Sequence, residues 1–180
     1  GGGQSHGVRR LAARLNRVVR GGGARWRANV TPIKALHAGC GTSLLGSALA
    51  TRGWSVTNCD FSAEAVDLLA ELDELGLLHS AVAASAKSAG SRQRCQYVHA
   101  DILSPPDAWE ESFDVVVEKG LLDTILFGKD QRSALGSATR YAAAVCKVLK
   151  RDGVLLQLSD APLEMRQGML EATLPCSGGV

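Results

Sequence analysis

The sequence contains no apolar run approaching the roughly 18 to 20 residues that cross a bilayer, so it reads as soluble, with no membrane role. It contains no CxxC pair, because Cys40, Cys59, Cys95, Cys146 and Cys176 are scattered along the chain. That spacing speaks against a zinc site. With Cys40 and Cys59 falling where buried strand ends are expected, it also favours reduced thiols over disulfides, and an intracellular compartment follows. A GxxxxGK(S/T) run is missing too, which argues against an ATP-type phosphate loop. The most unusual absence is of acid: every ionised side chain before Asp60 is basic, namely Arg9, Arg10, Arg14, Arg17, Arg20, Arg25, Arg27, Lys34 and Arg52.

Three explanations of that one-sided start stay open. It suits an arm for RNA or a ribonucleoprotein, an Arg-rich targeting segment of the mitochondrial type, or the solvated face of a helix. Residues Val8 to Val19 place Leu11, Leu15 and Val18 at helical spacing among the arginines, and Gly21-Gly22-Gly23 ends the pattern. The chain opens on Gly1 and not on Met, which is compatible with removal of some N-terminal sequence. Cytoplasm is the default compartment, with the mitochondrion as the alternative.

With 180 residues and 46% hydrophobic content, the chain has material for one domain with a continuous core. We divide it into a basic arm over 1–32 and a domain over 33–180, with an Ala/Ser/Gly-rich connection at 80–94 that is expected to be flexible. In the domain, strands are expected at Ile33 to Ala38, Ser55 to Cys59, Gln96 to His99, Phe113 to Glu118 and Val154 to Leu158. Helices are expected at Ser43 to Thr51, from a Ser62 N-cap to about Leu75, at Ala134 to Leu149 and at Pro162 to Pro175. Lys150-Arg151-Asp152-Gly153 reads as a basic helix stop followed by glycine. Alternating strands and helices predict a Rossmann-like, doubly wound, mostly parallel α/β sheet, whose ligands sit beyond the carboxyl ends of the strands.

Gly39 and Gly41 follow the first strand and open a helix, the setting of a nucleotide-binding turn. Three acids close later strands: Asp60, about 20 residues on, at the distance of a ribose-binding carboxylate, then Asp101 and Glu118. A dinucleotide turn of the GxGxxG form needs a third glycine at 44, where Leu44 stands. S-adenosylmethionine (AdoMet) has no pyrophosphate and carries a positive sulfonium, so it suits an acid-lined site better.

The stretches Gly39-Cys40-Gly41-Thr42-Ser43, Val56 to Ser62, Phe113 to Asp123 (FDVVVEKGLLD) and Val148 to Gly153 resemble the class I, seven-β-strand AdoMet-dependent methyltransferases. They are most similar to the branch of elongation factor 1-alpha and citrate synthase lysine methyltransferases. The resemblance covers about Ile33 to Ser159. It implies that Gly39, Cys40 and Gly41 pass along the methionine part, that Asp60 holds the ribose, and that Asp101 with the Ile102 amide reads the adenine, with Thr42 and Phe61 also among the cofactor-binding residues. It also implies that Glu118 and Lys119 line the methionine end near the substrate entrance, with S-adenosylhomocysteine as the product. Glu118 or Asp123 would position a substrate amine or take its proton, and helix capping or an ion pair with Lys119 are the bland alternatives.

The same resemblance marks departures. His37 stands where many class I enzymes have an acid, and we read it as a packed, hydrogen-bonded residue without a catalytic role. The upstream aromatic segment of the branch is replaced by the arginine-rich arm. The last two strands of the fold have no counterpart before Val180, which leaves the fifth strand with an open edge. The leading expectation is a methyltransferase acting on a protein lysine. The alternatives are a non-catalytic methyltransferase-like subunit of an RNA–protein complex and an RNA methyltransferase.

Overall fold

The computed structural model of the chain describes residues 31–78, 95–127, 131–164 and 166. The expected helix over Val8 to Val19, the connection over 80–94, Cys176 and most of the expected helix from Pro162 to Pro175 lie outside the described residues.

The elements run β1 Lys34–Ala38, α1 Leu45–Ala50, β2 Ser55–Asp60, α2 Ala63–Glu74, β3 Gln96–His99, β4 Phe113–Lys119, α3 Leu121–Leu126, α4 Gln131–Val148 and β5 Leu149–Leu158. The strands form one sheet in the order β3-β2-β1-β4-β5, and every neighbouring pair is parallel. This is the expected Rossmann-like α/β architecture. The chain steps outward from β1 to β2 to β3, then crosses back to lay β4 on the other side of β1, so the order reverses between β1 and β4. A crevice opens at such a reversal, beyond the carboxyl ends of the two strands.

Two apolar layers hold the sheet, because successive strand residues point to opposite faces. On one face Leu36, Ala38, Cys59 and Val116 pack with Leu122 of α3 and with Tyr141, Val145 and Val148 of α4. On the other, Ile33, Ala35, Val56, Val115 and Val117 pack with Ala50 and Trp54. Covered on both sides, β4 is buried from Phe113 to Glu118, and for that reason it reads as an unbroken apolar run apart from its acids.

Helix α2 begins as its sequence implies, with the Ser62 hydroxyl accepting a hydrogen bond from the Ala65 amide at 3.2 Å, a cap that contributes about 1 kcal/mol. Its apolar series drifts, however. Val66 and Leu69 are buried, Leu72 is half-buried, and Leu75 is exposed. Steps of three residues fall about 60° short of a full helical turn each time, so three steps carry Leu75 to the opposite side from Val66.

Two local expectations are corrected. Helix α1 starts at Leu45, not Ser43, because Ser43 still belongs to the turn, its amide donating to the Cys40 carbonyl at 2.9 Å. The Lys150 to Gly153 segment is no separate loop: β5 starts at Leu149, directly after α4. Leu149 pairs with Phe113 and Val154 with Val115, so the basic segment is a bulge in the ladder between them. Lys150 is held there by Asp114, Nζ to Oδ1 3.1 Å, and the other Asp114 oxygen accepts the Lys34 amide at 2.9 Å. Among the described residues the sheet has five strands, and no helix is long and apolar enough to cross a membrane.

Close packing of α1 on the sheet has one steric condition. A Cβ on Gly46 would lie 1.9 Å from Oδ1 of Asn58, an atom also within 2.9 Å of Nδ1 of the buried His37. Gly46→Ala is therefore expected to lower stability by about 2 kcal/mol through overpacking, even though alanine in an exposed helix gains about 1 kcal/mol over glycine. Urea unfolding of the two proteins measures the sign, and a stabilised variant would mean that α1 is not pressed onto Asn58.

Candidate functional site

Beyond the carboxyl ends of β1, β2 and β3 lies a cavity of about 260 Å³. Its floor is Gly39, its acidic side is Asp60 and Asp101, and its apolar walls come from Phe61, Ile102 and Leu103 on one side and Leu121 and Ile125 of α3 on the other. The strand ends deliver these residues together because β1, β2 and β3 are in parallel register. Ala38 pairs with Cys59 and Asp60 with His99, so Gly39, Asp60 and Ala100 emerge side by side.

Gly39 adopts φ +60°, and a Cβ there would come within 2.8 Å of Leu121 Cδ1. Glycine is thus required both by the backbone and by the approach of α3. Asp60 is the organising group of the acidic side. Its Oδ2 accepts the Gly41 amide at 2.7 Å and its Oδ1 accepts the Ser62 amide at 2.9 Å, so one nearly buried carboxylate ties the glycine turn to the start of α2. Each carboxyl oxygen retains a further lone-pair site for a ligand hydroxyl. Asp101 is exposed, and its Oδ1 accepts the Leu103 amide at 2.8 Å, which curls the chain so that Ile102 is buried against the cavity.

Of the residues singled out from the sequence, Gly39, Asp60, Phe61, Asp101 and Ile102 line this cavity. Phe61 is 72% exposed, at the mouth. The Cys40 side chain packs instead with Leu69 and Leu78. Gly41 contributes its amide to Asp60, and Thr42 is exposed on the turn. Lys119 is exposed at the end of β4.

Glu118 is completely buried. Its Oε2 accepts the amides of Leu121 at 2.8 Å and Leu122 at 3.5 Å, so it caps α3, and Oε1 has no partner among the described residues. Burial pushes its carboxyl above the usual range, against the opposing pull of the Leu121 and Leu122 amides and the Gln157 side chain, and Asp123 adds to the upward push. Asp123 sits in the first turn of α3, against the end of β5, where one oxygen accepts the Ser159 hydroxyl and the other the Asp160 amide at 3.0 Å. Burial raises this carboxyl, but the Ser159 hydroxyl, the Asp160 and Ala161 amides and the Arg166 charge outweigh it and hold the group below its ordinary value.

His37 is buried with Nδ1 2.9 Å from Asn58 Oδ1, and burial lowers its pKa, so it is the packed residue expected. The sequence reading missed Gly46, which supplies the close helix-to-strand approach two positions after the Leu44 site where a dinucleotide turn would place it. The available signal was its cost, since a glycine inside a helical window needs a packing reason. Leu121 and Ile125 were missed as walls because α3, Leu121–Leu126, is not among the expected helices: six residues are too short to show a helical period in the sequence.

A family model described as a methyltransferase domain matches residues 36–157. No curated protein matches the sequence. Among solved structures, a TehB-like SAM-dependent methyltransferase from Corynebacterium glutamicum is 16% identical, with 94% of this chain and 83% of that chain covered and a TM-score of 0.52. The 4+2 cyclase SpnF is 19% identical over 89% of this chain and 55% of that one, with a TM-score of 0.54. A SAM-dependent methyltransferase from Methanosarcina mazei is 22% identical over 68% of this chain and 50% of that one, with a TM-score of 0.48. At these identities the likeness is one of fold, and this chain spans about half the length of the last two.

Cys40 of the glycine turn and Cys59 of β2 yield a chemical check. Burial, with Asp60 adding to it at Cys40, pushes both the Cys40 and the Cys59 thiol up to about 12. Near pH 8 about one in ten thousand of each is thiolate, the reactive form. Iodoacetamide at that pH is expected to spare Cys40 and Cys59 in the folded protein, to reach the exposed Cys146, and to label all three in urea. Peptide mass analysis reads the result, and fast native labelling of Cys40 would mean that the glycine turn opens readily.

Proposed function

The chain belongs to the methyltransferase domain family, and from that premise we propose that it transfers a methyl group from AdoMet to the side-chain amine of a protein lysine. The observation that carries the cofactor assignment is the Asp60 carboxylate, fixed by two backbone amides at 2.7 and 2.9 Å while it faces the cavity. The donor set fits the group. A pair of carboxylates suits a polar, cationic ligand, the apolar walls suit a flat base, and a Cβ would fill the cradle at Gly39.

When bound, AdoMet supplies a methyl group on a positively charged sulfur and departs as S-adenosylhomocysteine. The protein's part is alignment. Asp60 would hold the ribose hydroxyls and Asp101, with the Ile102 amide, the base. Gly39 to Thr42 would leave room for the amino-acid portion, and Lys119 would border it. Displacement at a methyl group depends on an in-line approach more than on acid–base help. Glu118 is turned to the α3 amides, so we assign it to support of the wall beside Gly39. Asp123, held ionised at the ends of β4 and β5, offers the charge that would orient a substrate ammonium before it loses its proton to water. The preference for lysine rests on the EKGLLD segment over 118–123, which resembles the lysine-methylating branch.

Calorimetry with AdoMet on the wild type and on Asp60→Ala tests the cofactor. The wild type is expected to bind and the variant to lose at least about tenfold in affinity, since a charge-assisted pair of hydrogen bonds disappears together with the anchor of the turn. Labelled AdoMet incubated with cell extract is expected to mark a protein whose hydrolysate contains methyl-lysine. Label confined to RNA would replace lysine as the acceptor and give the arginine-rich arm a reason. An absence of both heat and label would leave the alternative of a non-catalytic subunit.

A further inference from the structure

Three buried polar atoms without partners lie at one place in this fold. They are Oε1 of Glu118 on β4, Nε2 of Gln157 on β5 and the Tyr141 hydroxyl on α4. Their meeting follows from the register. Cys59, Ala38, Glu118 and Gln157 form one row across β2, β1, β4 and β5, on the face covered by α3 and α4. Gln157 faces both Glu118 and Tyr141. Tyr141 and Glu118 are fully enclosed.

An unpaired buried polar group costs about 1 to 3 kcal/mol, and three in one place are more than a fold retains without use. The groups complement one another: the phenol donates, the amide accepts at its oxygen and donates at its nitrogen, and the carboxylate accepts. A half-turn of an amide exchanges its oxygen and nitrogen, and a single enclosed water could complete any gap.

We propose that Tyr141 and Gln157 are positioning residues for the AdoMet cavity: the Tyr141 hydroxyl donates to Oε1 of Gln157, Nε2 of Gln157 donates to Oε1 of Glu118, and Oε2 of Glu118 holds the Leu121 amide. The chain of bonds runs from the long helix α4, through β5 and β4, to the first residue of the six-residue α3. Leu121 is the side chain that closes on Gly39, so the relay sets the width of the cavity floor from beneath. Helix α3 is too short to be stable without such support. The inference rests on the reading of the cavity as the AdoMet site, and it adds two residues that touch no ligand themselves.

A swap of the two side chains on β4 and β5 tests the relay in the 180-residue chain, by calorimetry with AdoMet and by thermal unfolding. Gln157→Glu sets two carboxyl groups against each other and is expected to weaken AdoMet at least about tenfold. Adding Glu118→Gln again sets one amide donor against one carboxylate, in the reverse direction and with an amide oxygen left for Leu121, and is expected to bring affinity back to within about threefold of wild type, a coupling of the size seen for residues in direct contact. Tyr141→Phe keeps the ring in the core and is expected to weaken AdoMet by about threefold and to lower the melting temperature. If the hydroxyl has no partner, the same variant instead gains stability and binds AdoMet unchanged, which overturns the proposal, as does a Gln157→Glu defect that Glu118→Gln leaves unrescued. Loss of binding in Asp60→Ala, measured alongside, confirms the site independently. A wild type that takes up no AdoMet ends both the reading and the relay.

Discussion

The Asp60 carboxylate is the joint on which the site depends. It lies at the last position of β2, where the strand's hydrogen bonds end, and it is nearly buried. A carboxylate there is tolerable only if strong donors meet it. The donors are the Gly41 amide, from the turn after β1, and the Ser62 amide, from the entry to α2. One side chain thus fixes two loops against each other, and the cavity exists in the space they are held around. Ser62 then caps the helix with its own hydroxyl, so Asp60, Gly41 and Ser62 together end a strand, start a helix and shape the cavity.

Polar groups are buried on both faces of the sheet near its carboxyl ends, and both sets hold parts of the same cavity. On the face of α1, His37 pairs with Asn58 and leaves room for no side chain at Gly46, which seats α1 and with it the glycine turn. On the face of α3 and α4, Glu118 holds the first amides of α3, and Gln157 and Tyr141 stand behind it. Apolar packing would serve stability as well or better at such positions. Hydrogen-bonded groups, unlike apolar ones, specify direction, and a binding site between loops needs direction.

Fold alone leaves the chemistry open, and these residues narrow it. A methyltransferase and a 4+2 cyclase both superimpose on this chain with TM-scores above 0.5, so the sheet order alone does not select a chemistry. The family match and the acidic side of the cavity together favour methyl transfer, while the choice of acceptor rests on a short segment, EKGLLD, whose two acids are engaged with backbone amides and a hydroxyl.

Local sequence determined the alternation of strand and helix, the Ser62 cap, the glycine turn and the acids at the ends of β2, β3 and β4, since each is written in spacing that a single element imposes. It missed what depends on two elements at once. The segment from Lys150 to Gly153 reads as a stop because its residues favour one, yet pairing with β4 draws it into a bulged strand. Leu75 continues an apolar series that the helical twist has already carried into solvent. Gly46 looks dispensable until Asn58 is placed against it. Glu118 reads as a site acid like Asp60, and only the packing of α3 and α4 over β4 turned it inward to a buried cap, because the direction of a strand side chain is set by sheet register and by what covers that face.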